Sequence, residues 1–217
     1  MERYPLEKLS LFFAKGKRIT YKKHQTILRP NTVPRGVYFL KKGFVREYAL
    51  SREGQELTLI LFKEHDIFPL RWTINNVLPT LYFEAMSQTE VFLAPKKTLL
   101  TFLHQNPDVL FALTGQMLTR VGGLLKRTEY MVFGNAYQKV AALLVICSER
   151  FGKSQGNGIL IEASLTHKDL GLLLGMARET VSNQMSKLEK KNIIAFKNHL
   201  LFIRDIEVLR CESLLDD

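Results

Sequence analysis

Arg178, Glu179, Ser182 and Asn183 share one side of a stretch whose other side carries Val181, Met185 and Leu188 at spacings of four and three. That period is helical, so one stripe is buried and a polar face is left free, with Ser186 on it. The residue types on that face suit the edges of nucleic-acid bases. Arg donates two parallel hydrogen bonds to guanine O6 and N7, Glu accepts from cytosine N4, and Asn makes a paired contact with adenine. Phosphates repel a carboxylate, so Glu179 beside Arg178 fits base reading better than charge attraction. The competing reading is an ordinary helix with a solvated face.

The elements that must position this face are legible around it. Thr166 is an N-cap with Asp169 three residues on, a variant of the capping box. Leu170, Leu173 and Leu174 give the helix that follows an apolar side, and Gly175 supplies the permissive corner of a helix-turn-helix. Ile193 to Ile203 reads as two short apolar strands about Lys197-Asn198-His199, the wing of a winged helix-turn-helix. Tyr137 to Phe151 is apolar nearly all round, which predicts a buried helix behind the pair. Gly152 to Gly158 reads as a loop and Gly158 to Ile161 as a short strand. Thr166, Lys168, Thr180, Lys187, Lys191, Lys197 and Asn198 are the candidates for backbone phosphate contact. For Lys187, Lys190 and Lys191 a solvated helix end favoured by the helix dipole is the alternative.

The formal net charge is +10, but from Ala136 onward there are 11 basic and 10 acidic residues. Most of the excess therefore lies in the N-terminal part, and the sum alone does not argue for nucleic acid. The window from Thr166 to Arg204 is locally basic, with a net of +4. Cys147 and Cys211 are far apart without a CxxC pattern, so neither a disulfide nor a metal site is expected. No apolar run reaches about eighteen residues, and MERYPLEKLS lacks the apolar core of a signal peptide, which together predict a cytoplasmic protein with no membrane partner.

Asn106-Pro107-Asp108 is a helix start, and the helix it opens runs to about Phe133. Leu110, Met117, Leu124 and Met131 recur every seven residues, with Thr114, Val121 and Thr128 four after each of the first three. Alternating threes and fours form the seam of a two-stranded coiled coil, so Leu110, Met117, Val121, Leu124 and Met131 are candidate dimer contacts. A core helix of a monomer is the alternative. Gly122-Gly123 suggests close backbone approach or a bend, since each Gly weakens a helix by roughly 1 kcal/mol relative to Ala.

The N-terminal part is strand-rich. Val37 to Leu40, then Lys41-Lys42-Gly43, then Phe44 to Tyr48 reads as a hairpin, and Arg52-Glu53-Gly54 turns the chain again before Leu57 to Phe62. Such strands imply an antiparallel sandwich or barrel.

Arg178-Glu179-Thr180-Val181-Ser182, preceded by Leu174-Gly175 and followed by Leu188-Glu189-Lys190-Lys191-Asn192-Ile193-Ile194, resembles the recognition helix of the CRP/FNR family of bacterial transcription regulators. In that family the residues at the positions of Arg178 and Glu179 read G and C. Asn183 stands where a second Arg is common, which alters the expected half-site at one base pair. Ala177 replaces the usual Ser or Thr cap, at a cost of about 1 kcal/mol. YFLKKGFVREYAL, SREGQELTLILF and KEHDIF are similar to the family's sensor.

The resemblance implies an α+β chain: an N-terminal antiparallel β jelly roll, or double-stranded β-helix, over 1–105, a long dimerisation helix and hinge over 106–134, and a winged helix-turn-helix over 135–217. The implied partners are double-stranded DNA, a second copy of the chain, RNA polymerase and an unidentified small-molecule effector. Relatives that bind cyclic AMP carry Gly-Glu-Leu and, about ten residues later, Arg-Ser-Ala or Arg-Thr-Ala. This chain has Pro69-Leu70-Arg71 and Pro79-Thr80-Leu81 there, so the ribose-binding Glu and the phosphate-binding Arg are both missing. Cyclic AMP is not expected. Arg71 has two readings, a contact to a different anion or a surface stacking pair with the adjacent Trp72. An iron–sulfur cluster is not expected either, since no Cys precedes Cys147. Haem stays open through His24, His65 and His104, although a lone His in a strand-rich domain is usually structural. The competing classes are a cupin-like metalloenzyme and a small-ligand-binding module without a regulatory role. The sequence lacks the clustered His pairs of the first, and GxSxG, GxxxxGK[ST] and HExxH are absent. No metal site and no catalytic residue are expected.

Overall fold

The computed structural model describes residues 3–213. Among them the chain forms two compact units, one up to Leu118 and the other from Thr119. The first begins with α1 (Arg3–Ala14), β1 (Lys17–Tyr21), β2 (Thr26–Leu28), β3 (Val37–Lys42), β4 (Val45–Leu50) and β5 (Glu56–Phe62). It continues through β6 (Ile67–Phe68), α2 (Leu70–Asn75), β7 (Tyr82–Ala85), β8 (Thr89–Ala94), α3 (Lys96–Gln105) and the start of α4 (Pro107–Phe133). The strands make two antiparallel sheets, in the orders β1-β8-β3-β6 and β2-β7-β4-β5.

Strand alternation explains why β3 reads as a continuous apolar run. Tyr38 and Leu40 face the second sheet, among Val45, Phe62, Phe68, Phe83 and Val91. Val37 and Phe39 face the other way, onto Leu9 and Phe13 of α1, Leu99 and Leu103 of α3, and Val109 and Leu113 of α4. Both faces are therefore buried. Between the sheets the ring of Phe68 lies 5.4 Å from Tyr38, 5.2 Å from Phe62 and 5.3 Å from Phe83. Such aromatic contacts are worth about 0.5–1.5 kcal/mol each beyond the area they bury.

Two expectations are corrected in this unit. Val37 to Tyr48 is not a hairpin: β3 pairs with β6 and β8, whereas β4 pairs with β5 and β7. The turn at Gly43 is real, but the chain uses it to cross between sheets. Its φ is +94°, and a Cβ there would sit 2.7 Å from the Gln88 carbonyl oxygen. Trp72 does not stack on Arg71, which is exposed; the Lys96 ammonium lies 4.7 Å from the centre of its ring and donates to the Trp72 carbonyl. Helix α1 is an element that a strand-centred reading passes over, although Leu6, Leu9 and Phe13 carry its spacing of three and four.

The second unit holds the rest of α4, then α5 (Ala136–Phe151), β9 (Gly152–Gln155), β10 (Gly158–Ile161), α6 (His167–Leu174), α7 (Arg178–Lys190), β11 (Ile194–Lys197), β12 (Leu200–Ile203) and α8 (Ile206–Cys211). Asn135 starts α5 with a full capping box to Gln138. The Gly152–Gly158 segment is a hairpin rather than a loop, since β9 pairs with β10 across a turn at Gly156, φ +58°. Every β9 residue is exposed, so the polar segment has no alternation by which to announce a strand.

Helix α4 runs unbroken through Gly122 and Gly123. A Cβ at either would meet nothing within 4 Å in the chain, so the glycines serve no close approach inside this protomer. Among the described residues no helix is long and apolar enough to cross a membrane.

Candidate nucleic-acid interface

The corner that presents α7 is built from local chemistry. Thr166 Oγ1 accepts from the Asp169 N–H at 3.2 Å, and the Asp169 carboxylate accepts from the Thr166 N–H at 2.9 Å. This closes the capping box with an aspartate. Helix α6 ends at Gly175, whose φ of 62° and ψ of 35° are left-handed. Gly171 allows the turn to fold back, because a Cβ there would lie 2.6 Å from the Met176 carbonyl oxygen. Ala177 then starts α7 without a side-chain cap.

Burial fixes which way α7 faces. Val181, Met185 and Leu188 are fully buried, and with Leu170, Leu173 and Leu174 they pack in front of α5. Arg178, Glu179, Asn183, Ser186 and Lys187 are exposed, and Thr180 and Ser182 are half-buried. The four base-reading candidates thus sit together on the first turns of one helix.

The candidate phosphate contacts surround it unevenly. Lys168 is exposed on the first turn of α6. The hydroxyl of Thr166 is already committed, donating to Asp169 Oδ2 at 2.6 Å. In the wing, Lys197 pairs in register with Leu200, so the hairpin loop is Asn198-His199 alone. Both carry positive φ, 50° and 64°, the signature of a two-residue type I′ turn. Lys197 Nζ lies 3.4 Å from the centre of the Phe202 ring, and His167 of α6 reaches Phe196 of the wing at 5.9 Å. His199, exposed at the tip, is a further contact candidate that sequence reasoning overlooks, because there it reads only as a turn residue. Lys191 is placed differently from the other lysines. At the C-terminal cap of α7 it pairs with Glu212 at 2.6 Å and lies 5.1 Å from the Tyr137 ring centre.

Behind the corner, the Arg127 guanidinium of α4 donates to the Leu173 carbonyl near the end of α6. Burial pulls its pKa below the ordinary arginine value. Burial also pushes the Cys147 thiol up to about 12, which makes it unreactive. Cys211 is exposed.

The apolar stripe of α4 is wider than the reading of Leu110, Met117, Val121, Leu124 and Met131. All of these except the half-buried Met131 are exposed in the single chain. A second series seven apart, Phe111, Leu118, Leu125 and Val132, is more exposed still, with Leu118 and Leu125 each at 66%. A step of 100° per residue puts Thr114, Val121 and Thr128 between the two series, along the middle of the stripe.

The three histidines of the first unit are dispersed. His24 and His65 lie in different exposed turns, and a ring nitrogen of His104 in α3 sits 2.7 Å from the Leu100 carbonyl oxygen. No group of three or more His, Cys, Asp or Glu among the described residues could hold a metal ion.

A two-sheet jelly roll joined through a long helix to a winged helix-turn-helix defines a class of regulators with a sensor-like domain and a helix-turn-helix reader. The comparisons agree. Residues 138–212 match the Crp-like helix-turn-helix domain, and residues 18–106 match the cyclic nucleotide-binding domain. The chain is 28% identical over 183 residues to the global nitrogen regulator of Nostoc sp., covering 81% of this chain and 80% of that protein. It is 25% identical over 193 residues to the anaerobic regulatory protein of Bacillus subtilis, covering 88% and 81%. Among solved structures, FixK2 from Bradyrhizobium japonicum superposes with a TM-score of 0.78 at 20% identity, covering 93% of this chain and 99% of that one. A CooA mutant from Carboxydothermus hydrogenoformans gives 0.76 at 24% identity, covering 93% and 89%. The chain belongs to the CRP/FNR family of transcription regulators. Members of this family are regulators rather than enzymes.

Proposed function

We propose that the chain acts as a homodimer that binds a near-palindromic duplex, reading bases with Arg178, Glu179, Ser182 and Asn183. Lys168, Thr180, Lys187, Lys197 and Asn198 contact the phosphates around them, whereas the N–H and the hydroxyl of Thr166 are both engaged by Asp169 and leave it out of this set. The observation that carries this reading is the exposed polar face at the head of α7, held on a fully buried Val181–Met185–Leu188 stripe. Two copies joined along α4 would present two such helices to half-sites about one helical turn apart. Selection of bound sequences from random duplex DNA tests this. Paired, inverted half-sites each holding a G·C pair are expected; no enrichment, or a single asymmetric site, would refute it.

The effector of this chain is not cyclic AMP in this proposal. Leu70 and Pro79 stand where the resembling relatives place their ribose-binding Glu and phosphate-binding Arg. Tyr38, Phe62, Phe68 and Phe83 fill space between the two sheets with packed rings, which supports the same reading. The sensor instead answers to another small molecule, or the protein reads DNA without one.

A further inference from the structure

The last turns of α4 carry two surfaces, both inside the second unit. Val121, Leu124, Leu125 and Val132 are exposed on one side, whereas Tyr130 is fully buried and Arg127 half-buried. A step of 100° per residue puts Tyr130 about 180° and Arg127 about 120° round the helix from Val121. The stripe read as the dimer seam and the surface packed into the reader therefore lie on different sides of one helical segment.

From the second surface Arg127 reaches a particular acceptor. Helix α6 stops at Leu174 with Gly175 left-handed, so it supplies no further N–H to the Leu173 carbonyl. The Arg127 guanidinium donates to that oxygen, which puts a cation at the electronegative end of α6. The contact lies two residues before the Gly175 corner and five before Arg178. The covalent path from α4 to the reader is longer, running through Gly134-Asn135 and then α5, β9 and β10 before α6 begins.

We propose that Arg127 is a positioning residue that fixes the half-site spacing the dimer accepts, by bracing the end of α6 against the helix that bears the seam. The proposal rests on the dimeric DNA-binding reading above. The seam sets where each α4 lies in the dimer, and a brace from α4 to the corner then sets where each α7 begins. Duplex geometry makes spacing a sharp measure of this, since one added base pair turns one half-site by about 34° and shifts it by about 3.4 Å. A planar guanidinium holds such a geometry better than a flexible ammonium.

The test uses the full-length wild type, Arg127→Met, Arg127→Lys and Tyr130→Phe, with dimerisation read by sedimentation and fold by circular dichroism. Tyr130→Phe is the control for the same buried surface, because its hydroxyl has no hydrogen-bond partner among the described residues. Each protein is titrated against duplexes holding the selected half-sites at the selected spacing and at spacings one and two base pairs longer or shorter. The wild type and Tyr130→Phe should lose about tenfold or more in affinity at the wrong spacings, on the scale of a mismatched base pair. Arg127→Met should stay dimeric and keep its base selectivity within a half-site, yet distinguish the spacings by no more than about threefold. Arg127→Lys, which keeps a charged donor, should recover most of the discrimination. A wild-type spacing preference in Arg127→Met would overturn the proposal and leave Arg127 as a cap of α6. A wild type indifferent to spacing, or a loss of discrimination in Tyr130→Phe as well, would overturn it too. Should Arg127→Met fail to fold, Arg127→Gln is read in its place, and failure of both would overturn the proposal by making the contact a requirement of folding. A wild type that is monomeric or does not bind inverted half-sites would instead reject the dimeric DNA reading.

Discussion

Lys191 Nζ lies 2.6 Å from Glu212 Oε1, tying the C-terminal end of α7 to the segment just after α8. The carboxylate raises the Lys191 pKa, and the ammonium lowers that of Glu212. A lysine neutralised in this way adds little to a phosphate footprint. Lys191→Ala should therefore leave the salt slope of DNA binding unchanged, while Glu212→Gln should steepen it by up to about 1 by releasing the ammonium. Titration of binding against salt decides the matter, and a slope about 1 shallower for Lys191→Ala would restore its phosphate role. Because the folded pKa of Glu212 is depressed, the contribution of this pair to stability is present above the ordinary glutamate range and is lost as pH falls through the lowered value.

The reader was legible in the sequence because its determinants are local. The Thr166 cap, the Gly175 corner and the Val181–Met185–Leu188 stripe lie within two dozen residues, and each has a short-range physical cause. The jelly roll was legible as a class and not as a topology. Whether β3 meets β4 depends on partners up to 57 residues away, as Val37 from Ala94, and the Lys41-Lys42-Gly43 turn looks the same in a hairpin or a crossing. The partner of Lys191 was equally hidden, since nothing local to Glu212 points to α7. The α4 stripe was half read, because a strict seven-residue template selects one series and the flanking series becomes apparent only once exposure is known.

Arg178 and Glu179 head α7 with both side chains exposed. Arg178→Ala should cost about 1–3 kcal/mol of binding and relax selectivity at one G·C pair per half-site. Competition between the selected site and single-base variants measures this. Equal weakening on all sequences would move Arg178 to the phosphates.

The glycines divide by backbone. Gly175 is left-handed, so Gly175→Ala should destabilise the second unit by about 1 kcal/mol. Gly122 and Gly123 are helical with open space at Cβ, so Ala at either should stabilise α4 by up to about 1 kcal/mol. Thermal melts of the three variants give the signs. A loss of dimer affinity on Gly122→Ala or Gly123→Ala would show that a second copy approaches there.

Calorimetry with cyclic AMP should show no binding at tens of micromolar. Losing both the ribose-binding and the phosphate-binding charges typically removes several kcal/mol, enough to carry a micromolar site toward millimolar. A clear micromolar isotherm would mean that Arg71 or another cation has taken over the phosphate.

Val121 lies on the middle of the α4 stripe, between the series that holds Leu110 and Met117 and the series that holds Leu118 and Leu125, and it is 50% exposed in the single chain. If the stripe is the dimer seam, a charge at its centre meets its own symmetry mate and loses packing and hydration together. Val121→Glu should split the dimer more completely than Leu110→Glu at the end of the stripe. Its half-exposure in one protomer means that the folded monomer should survive, with helix content by circular dichroism near that of the wild type. Sedimentation at low micromolar concentration provides the reading. A Val121→Glu protein that still sediments as a dimer would place the interface away from α4, and an unfolded one would mean that the stripe is covered within a single chain.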